Sequence, residues 1–349
     1  MLLIVAHHCV VNSGLITTDP LTLRPAGQMV ENPFSINTLI LWTIGMWGKT
    51  GINCFLLITG YFMCTSKITL RKFVKLMLWI YFYAIVIYII FLITGYETLS
   101  PLRLIQLVFP VWGFNVNFTS CFIGFWLTIP FWNILIQNMT KRQHQILLCL
   151  LLGMYTILGS IPKFNVTMNY VTWFGIIYLI SSYIRLYPHP VMSNKRLWMM
   201  VTFASIALAV CSMVVMSYLF GAKAPTFFVS DSNKIFAVVV AVASFLWFKN
   251  MDIAHSKIIN GIGASTFGVL LIHANSDAMR QWLWKDTVDC VGHYALPPLK
   301  LTLYIISTVL IIFFVCIAID RIRFYFVEQP FFRWYDKRPR LARMQDLLK

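Results

Sequence analysis

The sequence predicts an all-α integral membrane protein. It reads as a single domain over residues 1–349, a bundle of about ten transmembrane helices with both termini in the cytoplasm. Three observations carry this reading. Mean hydropathy is +0.75, and 59% of residues are hydrophobic against 11% charged, a membrane composition and not that of a soluble domain. Long apolar runs recur along the chain. Lys and Arg gather at alternate ends of those runs.

A spanning helix takes about 20 apolar residues. The first run, Met1–Val11, offers about a dozen before Asn12-Ser13-Gly14. The first helix is therefore expected to be truncated at its N-terminus. No charged stretch or small-residue cleavage site precedes the run, so no cleaved signal is expected. The second run extends from Phe34 to Cys64. As one helix it would measure about 45 Å, beyond the hydrocarbon thickness. It splits into Phe34–Trp47 near the outer surface and a span over Gly48–Cys64. Further spans are expected at 74–94, 119–138, 145–161, 171–187, 197–220, 234–249, 257–275 and 301–319. Residues 320–349 follow as a cytoplasmic tail, whose interleaved aromatic and basic residues suit an anchor at the lipid interface.

Charge supports the same topology. With the start inside, the cytoplasmic segments hold 19 of the 28 basic residues, with five acids. The outer segments hold eight basic residues, Arg24 among them, offset by seven acids. That asymmetry favours an even number of spans with both ends inside. The net charge of +16 sits at the ends of apolar runs and not on a soluble face, so nucleic acid is not an expected partner. The eight cysteines, Cys9, Cys54, Cys64, Cys121, Cys149, Cys211, Cys290 and Cys316, fall mostly inside apolar runs without metal-type spacing. They read as small hydrophobes, and no metal is expected. No internal repeat is visible.

Four clusters can carry chemistry. His7 and His8 sit in the first apolar run, where an ionisable group is costly and marks a functional site. Neighbours on a helix point about 100° apart, so both cannot face one site equally. Asn12, four residues past His8, can fix its tautomer. His273 lies near the outer end of its span, with Asp277 at i+4 and Arg280 beyond; a His–Asp pair there would raise imidazole basicity. An ordinary ion pair at a helix end is the simpler alternative. Lys67, Arg71, Lys72 and Lys75 form a cationic cluster at a cytoplasmic helix start, suited to phosphates or to topology alone. Lys49 and Asn53 are polar groups near the outer end of their span and candidates for substrate contact, as is Arg280. Gly51 and Gly60 in the same stretch permit close helix packing. His8 and His273 reach similar depths in the outer half, above an inner basic cluster. This suits bringing a group across the membrane.

At these residues the chain resembles the integral-membrane acyltransferase family called acyltransferase-3, which includes O-acetyltransferases of bacterial surface polysaccharides. The resemblance lies in LLIVAHH of the first span, NCFLLITGYF followed by RKFVK, Pro130-Phe131-Trp132-Asn133, and STFGVLLIH ending at His273. It implies a core of ten spans in a bacterial cytoplasmic membrane. It implies a donor, acetyl-CoA or another acyl-CoA, and transfer of the acyl group to a sugar hydroxyl of a lipid-linked or exported glycan. The family carries a basic residue upstream of its key histidine. By that spacing His8 matches better than His7, and the basic position falls before Met1. The family's paired basic residues match Lys72 and Lys75, lysines where arginine is common. With Arg71 they would contact coenzyme A phosphates, without arginine's two-pronged grip at those two positions. His8 would act as general base or transient acyl carrier, with His273 and Asp277 orienting the acceptor or assisting proton transfer.

A transporter or flippase of ten spans is the main rival. It predicts internal pseudo-symmetry and paired helix breaks, and the sequence displays neither. Glycosyl transfer calls for acidic motifs that the spans lack.

Overall fold

The computed structural model describes residues 1–19, 25–113, 117–164 and 166–338. Arg24 and the tail beyond residue 338 lie outside the described residues. Helices form where the apolar runs are. α1 (Leu2–Val11) comes first. A two-residue strand pair, Thr17–Thr18 with Pro25–Ala26, is an addition to the all-helical expectation. The turn α2 (Gln28–Glu31) leads to α3 (Ile36–Gly45), whose cap Ser35 accepts from the Thr38 N–H. α4 (Gly48–Met63) follows Met46-Trp47. The long apolar run thus divides where its length demanded. Gly45 and Gly48 flank the break because α1 crosses there. A Cβ on Gly45 would overlap Val10, and one on Gly48 would overlap the His7 ring.

α5 (Leu70–Ile93) starts at the Thr69 cap, and α6 (Pro101–Val108) has proline in its first turn, where no N–H is missed. α7 (Phe118–Asn138) contains Pro130. α8 (Lys141–Leu152) opens with a capping box between Thr140 and Gln143, and continues through a π turn to Ser160. Next come α9 (Tyr170–Leu186), α10 (Lys195–Phe220), α11 (Ile235–Lys249) and α12 (Lys257–His273). The short α13 (Asp277–Arg280) and α14 (Cys290–His293) lead to α15 (Pro298–Arg323), which runs through a π turn into α16 (Gln329–Asp336).

Among the described residues, five helical stretches are long and apolar enough to cross a membrane: α5, α7, Lys141–Ser160, α10 and Pro298–Asp336. The segment Asp277–His293 bends by 95° from α12, and the two make a sixth if taken together. α1, α9 and α11 are apolar but shorter. α9 is the central element, packed on α4 and α7, with α11 against α4 and α10 outermost. Trp173, Phe174, Ile177 and Tyr178 of α9 are wholly buried. α1 wedges among α3, α4 and α15, while α12 packs on both α15 and α5. The outward faces of α5, α10 and α15 carry Ile89, Phe203, Leu310 and Phe314 exposed, a surface made for lipid.

The tail departs from its reading as an anchor alone. Tyr325, Phe326 and Trp334 are exposed as an interfacial belt requires, but Asp320, Arg323, Glu328, Phe332 and Tyr335 are buried. The charged residues leave solvent because they satisfy one another, as described below.

Candidate active site

Two helices that are far apart in the chain bring their histidines together. Nδ1 of His8 on α1 lies 3.0 Å from Nε2 of His273, the last residue of α12. On its other side, Nδ1 of His273 lies 2.5 Å from the carbonyl oxygen of Val269. A carbonyl only accepts, so Nδ1 of His273 carries its proton. A neutral His273 then presents a bare Nε2, and His8 donates to it from Nδ1. The remaining nitrogen of His8, Nε2, is left with its lone pair. Trp284 stands edge-on to the His273 ring, with centroids 6.0 Å apart, and fixes its plane.

His7 is spent elsewhere. Its Nδ1 donates to the Gly45 carbonyl at 2.6 Å, and its ring fills the space that Gly48 leaves open. Of the neighbouring imidazoles, His8 meets the second histidine and His7 pins α1 to the α3–α4 break. Cys9 extends the clamp, its sulfur 3.7 Å from that of Cys290.

Two sequence expectations need correction. Asp277 does not reach His273. α12 ends at His273 and the chain turns sharply, so i+4 spacing no longer means one helix face. Asp277 is exposed and pairs with Arg280 at 2.9 Å. Asn12 likewise falls past the end of α1, where its backbone N–H caps the His8 carbonyl.

His8 lines a recess of about 140 Å³ with Lys49, Tyr170, Asn117, Thr119 and Arg280. The ammonium of Lys49 donates to the Tyr170 hydroxyl and stands 3.6 Å from Asp231. Asn53, expected at the substrate, is instead fully buried. It donates to the carbonyls of Ser232 and Ala237 at 2.7 and 3.2 Å and accepts from the Trp173 indole at 3.0 Å. It pins α4, α9 and α11 together. Arg280 stays at the recess, which shares Asn117, Thr119 and Arg280 with a larger polar cavity of about 400 Å³ lined by Arg103, Gln106, Trp112 and Ser276. Nε of Arg103 and Nε of Arg280 are both buried without a hydrogen-bond partner among the described residues.

Towards the basic cluster, aromatic rings close the bundle. Phe55 stacks on Phe267 with centroids 5.9 Å apart, and Trp79 meets Phe267 edge-on at 5.3 Å. Behind Trp79 lies a buried network that the sequence reading missed. Asp320 accepts from the Trp79 indole at 2.8 Å, the Tyr83 hydroxyl at 2.9 Å and Nε of Arg323 at 2.9 Å. Arg323 also reaches Glu328 at 2.8 Å, and Glu328 takes Lys75 at 2.8 Å. Asp320 fits only because Gly268 faces it; a Cβ there would lie 2.6 Å from its carboxyl carbon. The signal was present in the sequence as an acid at the end of an apolar run with arginine at i+3.

The rest of the basic cluster is also engaged. Arg71 makes a two-pronged contact with Asp336, both N–O distances 3.0 Å. Lys72 donates to the Lys67 carbonyl at 2.7 Å. Arg71, Lys75, Glu328 and Asp336 border a cavity of about 340 Å³.

A family described as an acyltransferase domain, acyltransferase-3, matches residues 1–319, nearly the whole chain. The chain belongs to the acyltransferase-3 family. No curated protein and no solved structure matches it. For an acyltransferase-3 protein with this many apolar helices, the membrane is the working environment. The matched stretch contains both site histidines and the basic cluster; Asp320, Arg323 and Glu328 lie beyond it.

Proposed function

We propose that this acyltransferase takes an acetyl group from cytosolic acetyl-CoA and places it on a hydroxyl of a lipid-linked or exported glycan. It works in a bacterial cytoplasmic membrane, crossing it ten times with both ends inside. His8 is the general base. An unassisted hydroxyl is a poor nucleophile near neutral pH, and a positioned imidazole supplies what it lacks. Nε2 of His8 accepts the sugar hydroxyl proton as the oxygen bonds to the thioester carbonyl carbon. The carbon–sulfur bond then breaks, and His8 returns the proton to the departing thiolate. While His8 is protonated, Nε2 of His273 accepts from its Nδ1–H and holds the ring in register. Arg71, Lys72 and Lys75 take the phosphates of the donor at the cytoplasmic rim. The amides, arginines and Trp112 of the polar cavity suit a saccharide, which needs hydrogen bonds at its edges and an apolar face.

One observation carries the reading: Nδ1 of His273 sits on the Val269 carbonyl and its Nε2 on Nδ1 of His8, contacts that leave the lone pair of Nε2 on a histidine lining the recess. The test is transfer of labelled acetyl from acetyl-CoA to glycan in membranes holding the protein. His8→Ala is expected to lose about a hundredfold to ten-thousandfold in rate at unchanged membrane level. Transfer retained by His8→Ala would remove the assignment.

A further inference from the structure

A large apolar cavity takes no part in the acyl-transfer chemistry described above. α5 and α15 both pack on α12 and meet each other at Asp320, which accepts from Trp79 and Tyr83; beside that contact lies a groove of about 660 Å³ lined by both helices. Its walls are Val86, Ile90, Ile311, Val315, Ile319 and neighbours of the same kind. The α15 wall, from Ile311 to Val327, is about 24 Å long at helical rise. Ile90 and Val315 are 49% and 51% exposed, so the groove opens sideways to lipid. One end closes on Arg323. The other does not stop at the lipid surface.

At that second end the groove reaches Thr94, Tyr96 and Met279. Tyr96 is shared with a shallow depression that holds Arg103 and Gln106, and those two residues line the polar cavity in turn. The cavity abuts the recess of His8. Ile272, on the groove wall, is the residue before His273. The apolar groove is thus linked, through lining residues that neighbouring cavities share, to the polar cavity and on to the recess of His8. Only an amphiphile fits both. The volume falls in the range that encloses a single ligand, which suits one long chain. At the junction stands Arg103, whose Nε is buried and makes no hydrogen bond among the described residues. Arg103 has Glu97 at 3.8 Å, so a phosphate would gain hydrogen bonds there more than net charge.

We infer that the α5–α15 groove is the binding site for the lipid chain of the acceptor, a saccharide carried through phosphate on one long aliphatic chain that slides in from the bilayer. This rests on the acyl-transfer reading for the identity of the head group, and on the groove alone for the chain.

The test uses the full-length protein in phosphatidylcholine nanodiscs. The probe is a polyisoprenyl phosphate with a diazirine midway along its chain; the comparison is a phosphatidylcholine with the diazirine in one acyl chain. The polyisoprenyl probe is expected to label peptides containing Ile90 and Val315 at least tenfold over the phospholipid probe. Unlabelled polyisoprenyl phosphate should compete this labelling away. Ile90→Trp with Val315→Trp fills the groove and should abolish it, while Leu208→Trp on the lipid face of α10 should not. Val315→Trp alone serves if the double variant fails to fold. Equal labelling by the two probes, or labelling indifferent to Trp in the groove, overturns the inference. Acetyl transfer separates it from the reading it rests on. Groove-filling variants should raise KM for lipid-linked saccharide several-fold and leave the same saccharide cut from its lipid unchanged. No transfer to any saccharide, with groove labelling intact, defeats the acyl-transfer reading and leaves the chain site standing. Transfer that ignores both lipid and groove variants defeats the chain site.

Discussion

Two polar constellations sit inside this apolar bundle, and they are built on opposite plans. At the histidine site, His8 and His273 share one hydrogen bond, and the pair keeps a lone pair in reserve beside a recess. At the acidic network, Asp320 accepts three bonds and Arg323 bridges to a second carboxylate, with both side chains 2% exposed. The first has valence to spare and a space next to it. The second is sealed, its bonds gathered on one oxygen of Asp320 and its Arg323–Glu328 contact an ion pair. A buried polar group closed in by its partners holds structure; one with a bond to offer can do chemistry.

That contrast can be broken at either site. After the loss expected at His8, the largest effect should be on stability, not on chemistry. Arg323→Met leaves buried Asp320 with no cation, only Trp79 and Tyr83, and leaves Glu328 with Lys75 alone. It should cost about 3–5 kcal/mol, read as a lowered midpoint of thermal unfolding in detergent. A variant as stable as the parent would show that the network does not hold the fold. At the histidines the damage should run the other way. His273→Ala should lower the transfer rate about ten- to a hundredfold with little change in unfolding. His273→Gln, which can offer an oxygen to Nδ1 of His8, should recover part of that. If Gln and Ala are equally poor, the proton order proposed here is wrong.

His7→Ala sharpens the choice between neighbours. It removes a packing group and one hydrogen bond, so about 1–3 kcal/mol of stability should go while the rate per folded molecule stays near the parent's. The smallest effect concerns the rim. Asp336 occupies the guanidinium of Arg71, which the donor phosphates would need. Asp336→Asn should lower KM for acetyl-CoA about two- to fivefold, the scale of an exposed ion pair. A higher KM would mean that Asp336 orders the site instead of competing for it.

Much of this was legible in the chain. Apolar runs gave the helices, because lipid leaves the backbone no other way to satisfy itself. The break between Gly45 and Gly48 followed from length alone. The meeting of His8 with His273 was foreshadowed by their equal depth. The errors share a cause. Asp277 was placed by helical spacing across a point where the helix ends, and Asn53 by its nearness to Lys49, when a buried amide can serve as a pin. Asp320 was left as the first residue of the tail because its partners, Trp79 and Tyr83, belong to a helix more than two hundred residues earlier. The proton order depends on the Val269 carbonyl, and no side-chain pattern records where a carbonyl points.

His8 and His273 are separated by 265 positions, and so are Arg71 and Asp336. Each contact therefore waits for its later residue to leave the ribosome and join the earlier one. A nascent chain halted before α12 holds one imidazole without its companion and an Arg71 without its carboxylate. The histidine pair is thus withheld until α12 is made, and copies halted before it lack the site.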